Sequence, residues 1–160
     1  MLATDAANNL TESRPLGSAR LTMWGFQIYD AKLWAAPGFD PNNYHLGDFA
    51  LELGYLRSFS GDDIAKRSIK EMLRIGPVND AQASQWLAQM QQIFPVVGKG
   101  DRILGRHTPG TGATFSLNGK PIGAVRDAEF SRRFFGIWLH PKTSAPAMRH
   151  ELLGLSKTTP

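Results

Sequence analysis

Apolar and polar positions alternate with a period of two through the first third of the chain. Ser18–Met23 and Phe26–Ala35 read as two strands about a Trp24-Gly25 turn. Phe49, Leu51, Leu53 and Tyr55 alternate with Ala50, Glu52, Gly54 and Leu56, which predicts a third strand with one well-buried face. Between these strands, "PGFDPNN" at 37–43 reads as a loop. The period then changes. Ile64, Ser68, Ile69, Met72 and Leu73 recur at helical spacing, after a Ser60 cap with Asp63 three residues on and before a Gly76-Pro77 stop. A second helix runs from Asp80 to Phe94 on a Trp86, Leu87, Met90 and Ile93 stripe. "DRILGRHT" and "ATFSLNG" are strands, and Asn118-Gly119 predicts a two-residue hairpin returning through Lys120–Val125. Asp127 caps a third helix over Ala128–Leu139, and Ser144 and Pro146 open a last one that Gly154 ends. The order β-β-β-α-α-β-β-β-α-α with hairpin connections predicts an α+β fold, an antiparallel sheet covered on one face by helices.

At 160 residues the chain is long enough for one domain with its own core. The expected domain is 17–155, between loose tails at 1–16 and 156–160. A hydrophobic content of 42% and a charged content of 20% exclude disorder. With no cysteine, a disulfide, a thiolate metal site and a cysteine nucleophile are all excluded. The net charge of +4 is spread over Arg14, Arg57, Lys66, Arg67, Arg102, Arg106 and others without a basic run. Spread this way, the cations favour anionic ligands rather than a nucleic-acid track. No apolar run approaches the ~20 residues of a membrane span. The start "MLATDAANNLTESRP" lacks the basic and apolar regions of a signal peptide and reads as a mature start after signal removal. The expected location is therefore the periplasm, with the cytoplasm as the alternative. Asn9-Leu10-Thr11 matches a glycosylation sequon that carries no meaning outside a eukaryotic secretory route.

Familiar catalytic signatures fail on inspection. Gly98-Lys99-Gly100 lacks the third glycine of a dinucleotide loop, Gly105 and Gly110 are followed by Thr111 rather than the Lys of a phosphate loop, and no Gly-x-Ser-x-Gly occurs. His45, His107, His140 and His150 lie apart, so no metal or other cofactor is expected and each His reads as a surface or hydrogen-bonded residue. Glu52 is a candidate buried acid, although a strand residue of this kind ordinarily faces water. "EFSRRFFGIWLHP", with Phe130, Phe134, Phe135, Ile137 and Trp138, reads as core whose rings also line a cavity.

The leading hairpin permits a geometric expectation. With Trp24-Gly25 as the turn, Met23 faces Phe26, Leu21 faces Ile28 and Arg20 faces Tyr29. Directly opposed residues share a face, with Cβ atoms about 4.5–5.5 Å apart. Leu21, Met23, Phe26 and Ile28 then form an apolar face, and Arg20, Thr22, Gln27 and Tyr29 a polar one. A guanidinium beside a phenol is a donor-rich clamp for a carboxylate or an enolate-like oxygen. An Arg merely stacked on a surface Tyr fits the same geometry.

"GSAR…IYDAKLW", "FALELGYLRSFSGDDIAKRSIKEML", "GDRILGRHTPGTGATFSLNGKPIG" and "EFSRRFFGIWLHPKTSAPAMRHELLG", in that order, resemble the chalcone isomerase-like family and its bacterial branch, over Gly17 to Gly154. The resemblance implies an open-faced β-sandwich, a large antiparallel sheet with helices over it and a ligand cleft between. The family holds isomerases that close chalcones to flavanones and non-catalytic members that bind fatty acids. Its characteristic Arg, which steadies a substrate oxygen or a carboxylate, corresponds to Arg20, and the binders' added Tyr to Tyr29. The hairpin is shorter here by an even number of residues, which is expected to keep both on one face. Where the enzymes carry Tyr, Lys and Asn on the helix after the third strand, this chain has Ile64, Arg67 and Glu71. Their late Thr falls near Ile137.

The resemblance therefore implies a non-catalytic protein that binds a small amphipathic carboxylate such as a fatty acid. The expected ligand-binding set is Arg20, Thr22, Tyr29, Arg67, Phe134 and Trp138. An intramolecular lyase or isomerase on an unidentified enone, with Arg20 and Tyr29 as catalytic candidates, is the alternative. A structural or interaction protein whose cleft is plugged by Trp24, Phe134 or Trp138 is a third. The oligomeric state is left open by the residues.

Overall fold

A computed structural model describes residues 12–155. Six strands pair in sequence order, every neighbour antiparallel: β1 (Arg14–Met23), β2 (Phe26–Ala35), β3 (Phe49–Tyr55), β4 (Arg102–Thr108), β5 (Gly112–Leu117) and β6 (Lys120–Val125). Helices α1 (Gly61–Ile75) and α2 (Asp80–Ile93) follow β3, and α3 (Ala128–Leu139) and α4 (Pro146–Leu152) follow β6. This is the expected α+β order of strands and α-helices. The period-two alternation decides which side the helices cover. Leu33, Phe49, Leu51, Phe115 and Val125 point to one face and are buried there under α3, α4 and the ends of α1 and α2.

The helix starts are set by their caps. The Ser60 hydroxyl accepts the Asp63 N–H at 3.0 Å, Asn79 the Gln82 N–H at 2.8 Å, and Asp127 the N–H groups of Glu129 and Phe130. Asp127 also accepts the Trp86 indole N–H at 3.0 Å, so one carboxylate caps α3 and fixes α2 beside it.

Three expectations need correction. The first strand begins at Arg14, not Ser18, so residues 14–16 are sheet rather than tail. Pro and Gly ordinarily weaken a strand, but β1 is an edge strand and its register slips between Pro15 and Gly17, which is where a sheet accepts such residues. The rest of the expected tails, 1–11 and 156–160, and the Asn9 sequon lie outside the described residues. The loop at 37–43 runs into a 3₁₀ stretch, Pro41–Leu46, because the Asp40 carboxylate accepts the Asn42 N–H and Pro41 takes the first position. Tyr44 of that stretch is buried and donates its hydroxyl to the Arg132 carbonyl at 2.8 Å. The third correction concerns Arg20 and Thr22, and follows from the register of the hairpin.

Candidate functional site

The register of β1 and β2 starts as expected and then changes. Met23 pairs with Phe26 and Thr22 with Gln27, but the next rungs are Leu21 with Tyr29 and Arg20 with Asp30. Ile28 is the extra residue, a bulge on β2. A bulge places two consecutive side chains on one face. Ile28 and Tyr29 accordingly both turn inward, with Leu21 and Met23, onto one cavity.

The slip moves Tyr29 to the face of Leu21 and Met23, whereas Arg20 keeps to the opposite, outward face of the sheet. Its Nε and Nη2 donate to Asp30 Oδ1 and Oδ2 at 2.6 and 2.9 Å, a bidentate pair with both side chains about half exposed. The hydrogen bond from Arg20 holds the Asp30 carboxyl below its usual range. Thr22 lies on the same outward face as Arg20, by the alternation of β1. The expected clamp of Arg20, Thr22 and Tyr29 is therefore not assembled.

The cavity lies between the inner face of the sheet and α1, α3 and the residues before α4, with a volume of about 390 Å³. Its deep wall is apolar: Leu53, Ile103, Phe94, Phe134 and Met148. Phe134 packs edge-on against Phe115 and Trp138, with ring centres 5.3 Å apart in each pair, so this wall is rigid.

Its polar groups form two sets, one around Tyr29 and one around Glu71. The Trp138 indole N–H donates to the Tyr29 hydroxyl at 2.9 Å, and Tyr29 lies edge-on to Tyr55 at 5.8 Å between ring centres. Burial pushes the Tyr29 phenol up to about 12 against the lowering effect of the Trp138 bond and the Arg67 charge. Arg67, on α1, approaches Glu71 Oε2 at 3.7 Å with Nε and Met23 Sδ at 3.6 Å with Nη2. Glu71 accepts the Ser144 hydroxyl at 2.7 Å and has Arg74 at 3.6 Å.

Which of these groups has capacity left decides what the cavity can hold. The Ser68 hydroxyl donates to the Ile64 carbonyl at 2.7 Å, and Thr143 to the Ile137 carbonyl at 2.6 Å. Ser144 is committed to Glu71. Tyr29 accepts from Trp138, and no acceptor takes its own proton among the described residues. Arg67 has N–H groups beyond its contacts with Glu71 and Met23. The Tyr55 hydroxyl, also on the cavity wall, has no hydrogen-bond partner among the described residues, so three spare donors, one of them charged, face a mainly apolar chamber that also carries the Asp63 and Glu71 carboxylates.

Of the expected set, Tyr29, Arg67, Phe134 and Trp138 line the cavity, and Arg20 and Thr22 do not. Ile64, Glu71 and Ile137 line it too. Ser144 was not anticipated from the sequence, since nothing but the fold brings the α3–α4 connection over α1. The bulge did have a signal: Ile28 and Tyr29 are adjacent apolar residues at which the alternation of Phe26 and Ile28 gives way to that of Tyr29, Ala31, Leu33 and Ala35.

Outside the cavity, Glu52 is on the outer face, where burial raises its carboxyl and Arg102 stands 3.9 Å away. His107 is a buried, satisfied histidine, bonded to the Ser131 hydroxyl at 2.6 Å and the His45 carbonyl at 2.8 Å.

Comparisons with known proteins agree with this architecture. The profile of the chalcone isomerase-like family matches residues 18–154. An uncharacterised protein of Haemophilus influenzae is 30% identical over 145 residues, which are 91% of this chain and 70% of that one. Among solved structures, a fatty-acid binding protein of Arabidopsis thaliana superposes with a TM-score of 0.66 at 11% identity, over 90% of this chain and 88% of that one. At that identity the likeness speaks for the fold.

Proposed function

The chain belongs to the chalcone isomerase-like family, and within it we propose a binding protein for a single-chain amphipathic carboxylate of the fatty-acid class. The observation that carries this reading is the pairing of a mainly apolar chamber with spare donors at Tyr29, Tyr55 and Arg67, of which only Arg67 is charged. A volume of about 390 Å³ is near the low end of the ~300–1,000 Å³ of small-molecule sites, which suits one acyl chain. Arg67 supplies the charge for the head group and Tyr29 a neutral donor beside it, while Trp138 fixes the phenol by donating to its oxygen. Glu71 holds Arg67 in place without cancelling the site, because Arg74 and Ser144 share its charge. The fatty-acid binding of the Arabidopsis protein supports the same class of ligand.

The lyase reading loses its principal residue. Arg20, its oxyanion group, is across the sheet in an ion pair with Asp30. The positions where the resemblance implies enzyme Tyr and Thr are Ile64 and Ile137, aliphatic parts of the cavity wall. The plugged-cleft reading is also disfavoured, since Phe134 and Trp138 line an open volume and Trp24 stands in solvent.

Displacement of a fluorescent fatty acid tests the proposal. Palmitate should displace it, and palmitate methyl ester should compete at least tenfold more weakly, since it offers Arg67 no charge-assisted hydrogen bond of about 1.5–3 kcal/mol. Equal competition by acid and ester, or none by either, would refute the reading.

A further inference from the structure

Trp24 occupies the tip of the β1–β2 hairpin with 91% of its surface exposed. Its φ is 56° and that of Gly25 is 80°, a two-residue turn with both central residues left-handed. Asn-Gly or Asp-Gly fills such a turn most easily, and a bulky residue at its first position is a strained choice. The other tryptophans, Trp34, Trp86 and Trp138, are all buried. Trp24 thus has neither a backbone nor a packing reason to be where it is.

The surroundings of the tip suggest a partner. Phe26 is 53% exposed, and the Arg57 guanidinium lies 4.2 Å from its ring centre. Leu56 donates to the Ile28 carbonyl and Gly100 to the Tyr55 carbonyl, which bring the end of β3 and the 98–101 turn to this end of the sheet. Exposed Lys99 is in that turn, and Val96, 73% exposed, precedes the Phe59–Val97 bridge beside it. Of the carboxylates named with these cations, one is paired with a cation, one faces the cavity and one keeps its charge on neutral donors. Asp101 accepts from Gly98 and Asn118, Asp62 is held by Lys66 and Gln91, and Asp63 faces the cavity. Met23 and Ile28, one on each side of the tip, are part of the cavity wall.

We propose that this end of the sheet docks on the surface of an anionic lipid bilayer, with Trp24 and Phe26 at headgroup depth, Arg57 and Lys99 facing the lipid phosphates, and the cavity edge turned to the membrane. Tryptophan is enriched at that depth because its indole is apolar in body and carries one polar N–H. Cations flanking it add attraction to anionic headgroups that salt weakens. Loading the cavity from the bilayer rests on the carboxylate-binding reading, whereas the docking itself does not.

The test is flotation of the full chain with vesicles of phosphatidylcholine alone and of an equimolar mixture with phosphatidylglycerol, read with tryptophan emission. Because the other indoles are buried, a blue shift reports Trp24. The wild type should float with the mixed vesicles and shift to the blue, and much less so without phosphatidylglycerol. Trp24→Asn, which suits the turn and will fold, should lose flotation and shift yet still bind palmitate in solution. Equal flotation of the two proteins, or none by the wild type, would overturn the proposal. So would a dimer in vesicle-free buffer that Trp24→Asn dissociates, since the tip would then serve a second copy. Flotation by a wild type that binds no palmitate would leave the docking intact and remove the cavity reading.

Discussion

A partly buried phenol between β2 and α3, with an indole N–H on its oxygen, keeps its proton until about pH 12, so Tyr29 meets any anionic ligand as a donor. The other two tyrosines are buried: Tyr44 is pushed up to about 12 and Tyr55 is raised as well, burial being the first cause in each. A folded-state value above the unfolded one, about 10, means stability that is complete below pH 10 and lost as pH climbs toward 12. Alkaline titration followed by phenolate absorbance should therefore show no tyrosine ionising at its ordinary value while the chain is folded. Ionisation should coincide with loss of the circular-dichroism signal. A tyrosine titrating normally in the folded chain would contradict the burial of these rings. At this scale the residues singled out in the sequence that line the cavity are Tyr29, Arg67, Phe134 and Trp138, while Arg20 lies outside it. Pairing arithmetic assumes an unbroken ladder, and one extra residue at Ile28 sends Arg20 and Tyr29 to opposite faces.

Among the elements, the β1–β2 hairpin places a bulky aromatic where the backbone favours Asn or Gly. Trp24→Asn should raise stability by about 0.5–1 kcal/mol, since relief of left-handed strain outweighs the loss of a ring that packs on little. For a chain of this size that is roughly 1–4 °C in Tm by calorimetry, and a fall would show that Trp24 packs in the folded state. β4, α3 and the 3₁₀ stretch meet at His107, whose Nε2–H donates to the His45 carbonyl and whose Nδ1 accepts the Ser131 hydroxyl. Burial lowers the His107 pKa against the pull of the His45 bond and Asp48, and His140 is lowered too. The neutral ring therefore contributes stability above about pH 6.5, and this is lost as pH falls below that value. Tm should drop between pH 7 and 5 in the wild type and drop less in His107→Gln; parallel slopes would remove His107 from that role. These elements were legible because caps, turn pairs and hydrophobic periods are coded within a few residues. The 3₁₀ stretch was not, being too short to show a period.

Over the whole molecule, pairing of strands with their sequence neighbours leaves one sheet with two unlike faces. One carries the aromatic core and the cavity, and the other carries ion pairs such as Arg20–Asp30 and Arg102–Glu52. The sequence shows which residues face inward, because alternation does. It does not show how far α1 and α3 stand off the sheet, because an internal space is made of atoms that are absent, and no residue pattern encodes them. The family pattern pointed to Arg20 for the anion; Arg20 lies outside the cavity and Arg67 lines it, so the proposed carboxylate binding assigns that duty to Arg67. Calorimetric titration of palmitate into the wild type, Arg67→Ala and Arg20→Ala tests this most directly. Arg67→Ala should weaken binding by about tenfold or more, the loss of one charge-assisted hydrogen bond, and Arg20→Ala should leave it within about twofold, as expected for a half-exposed surface pair. Loss of binding in Arg20→Ala with Arg67→Ala unaffected would contradict the account.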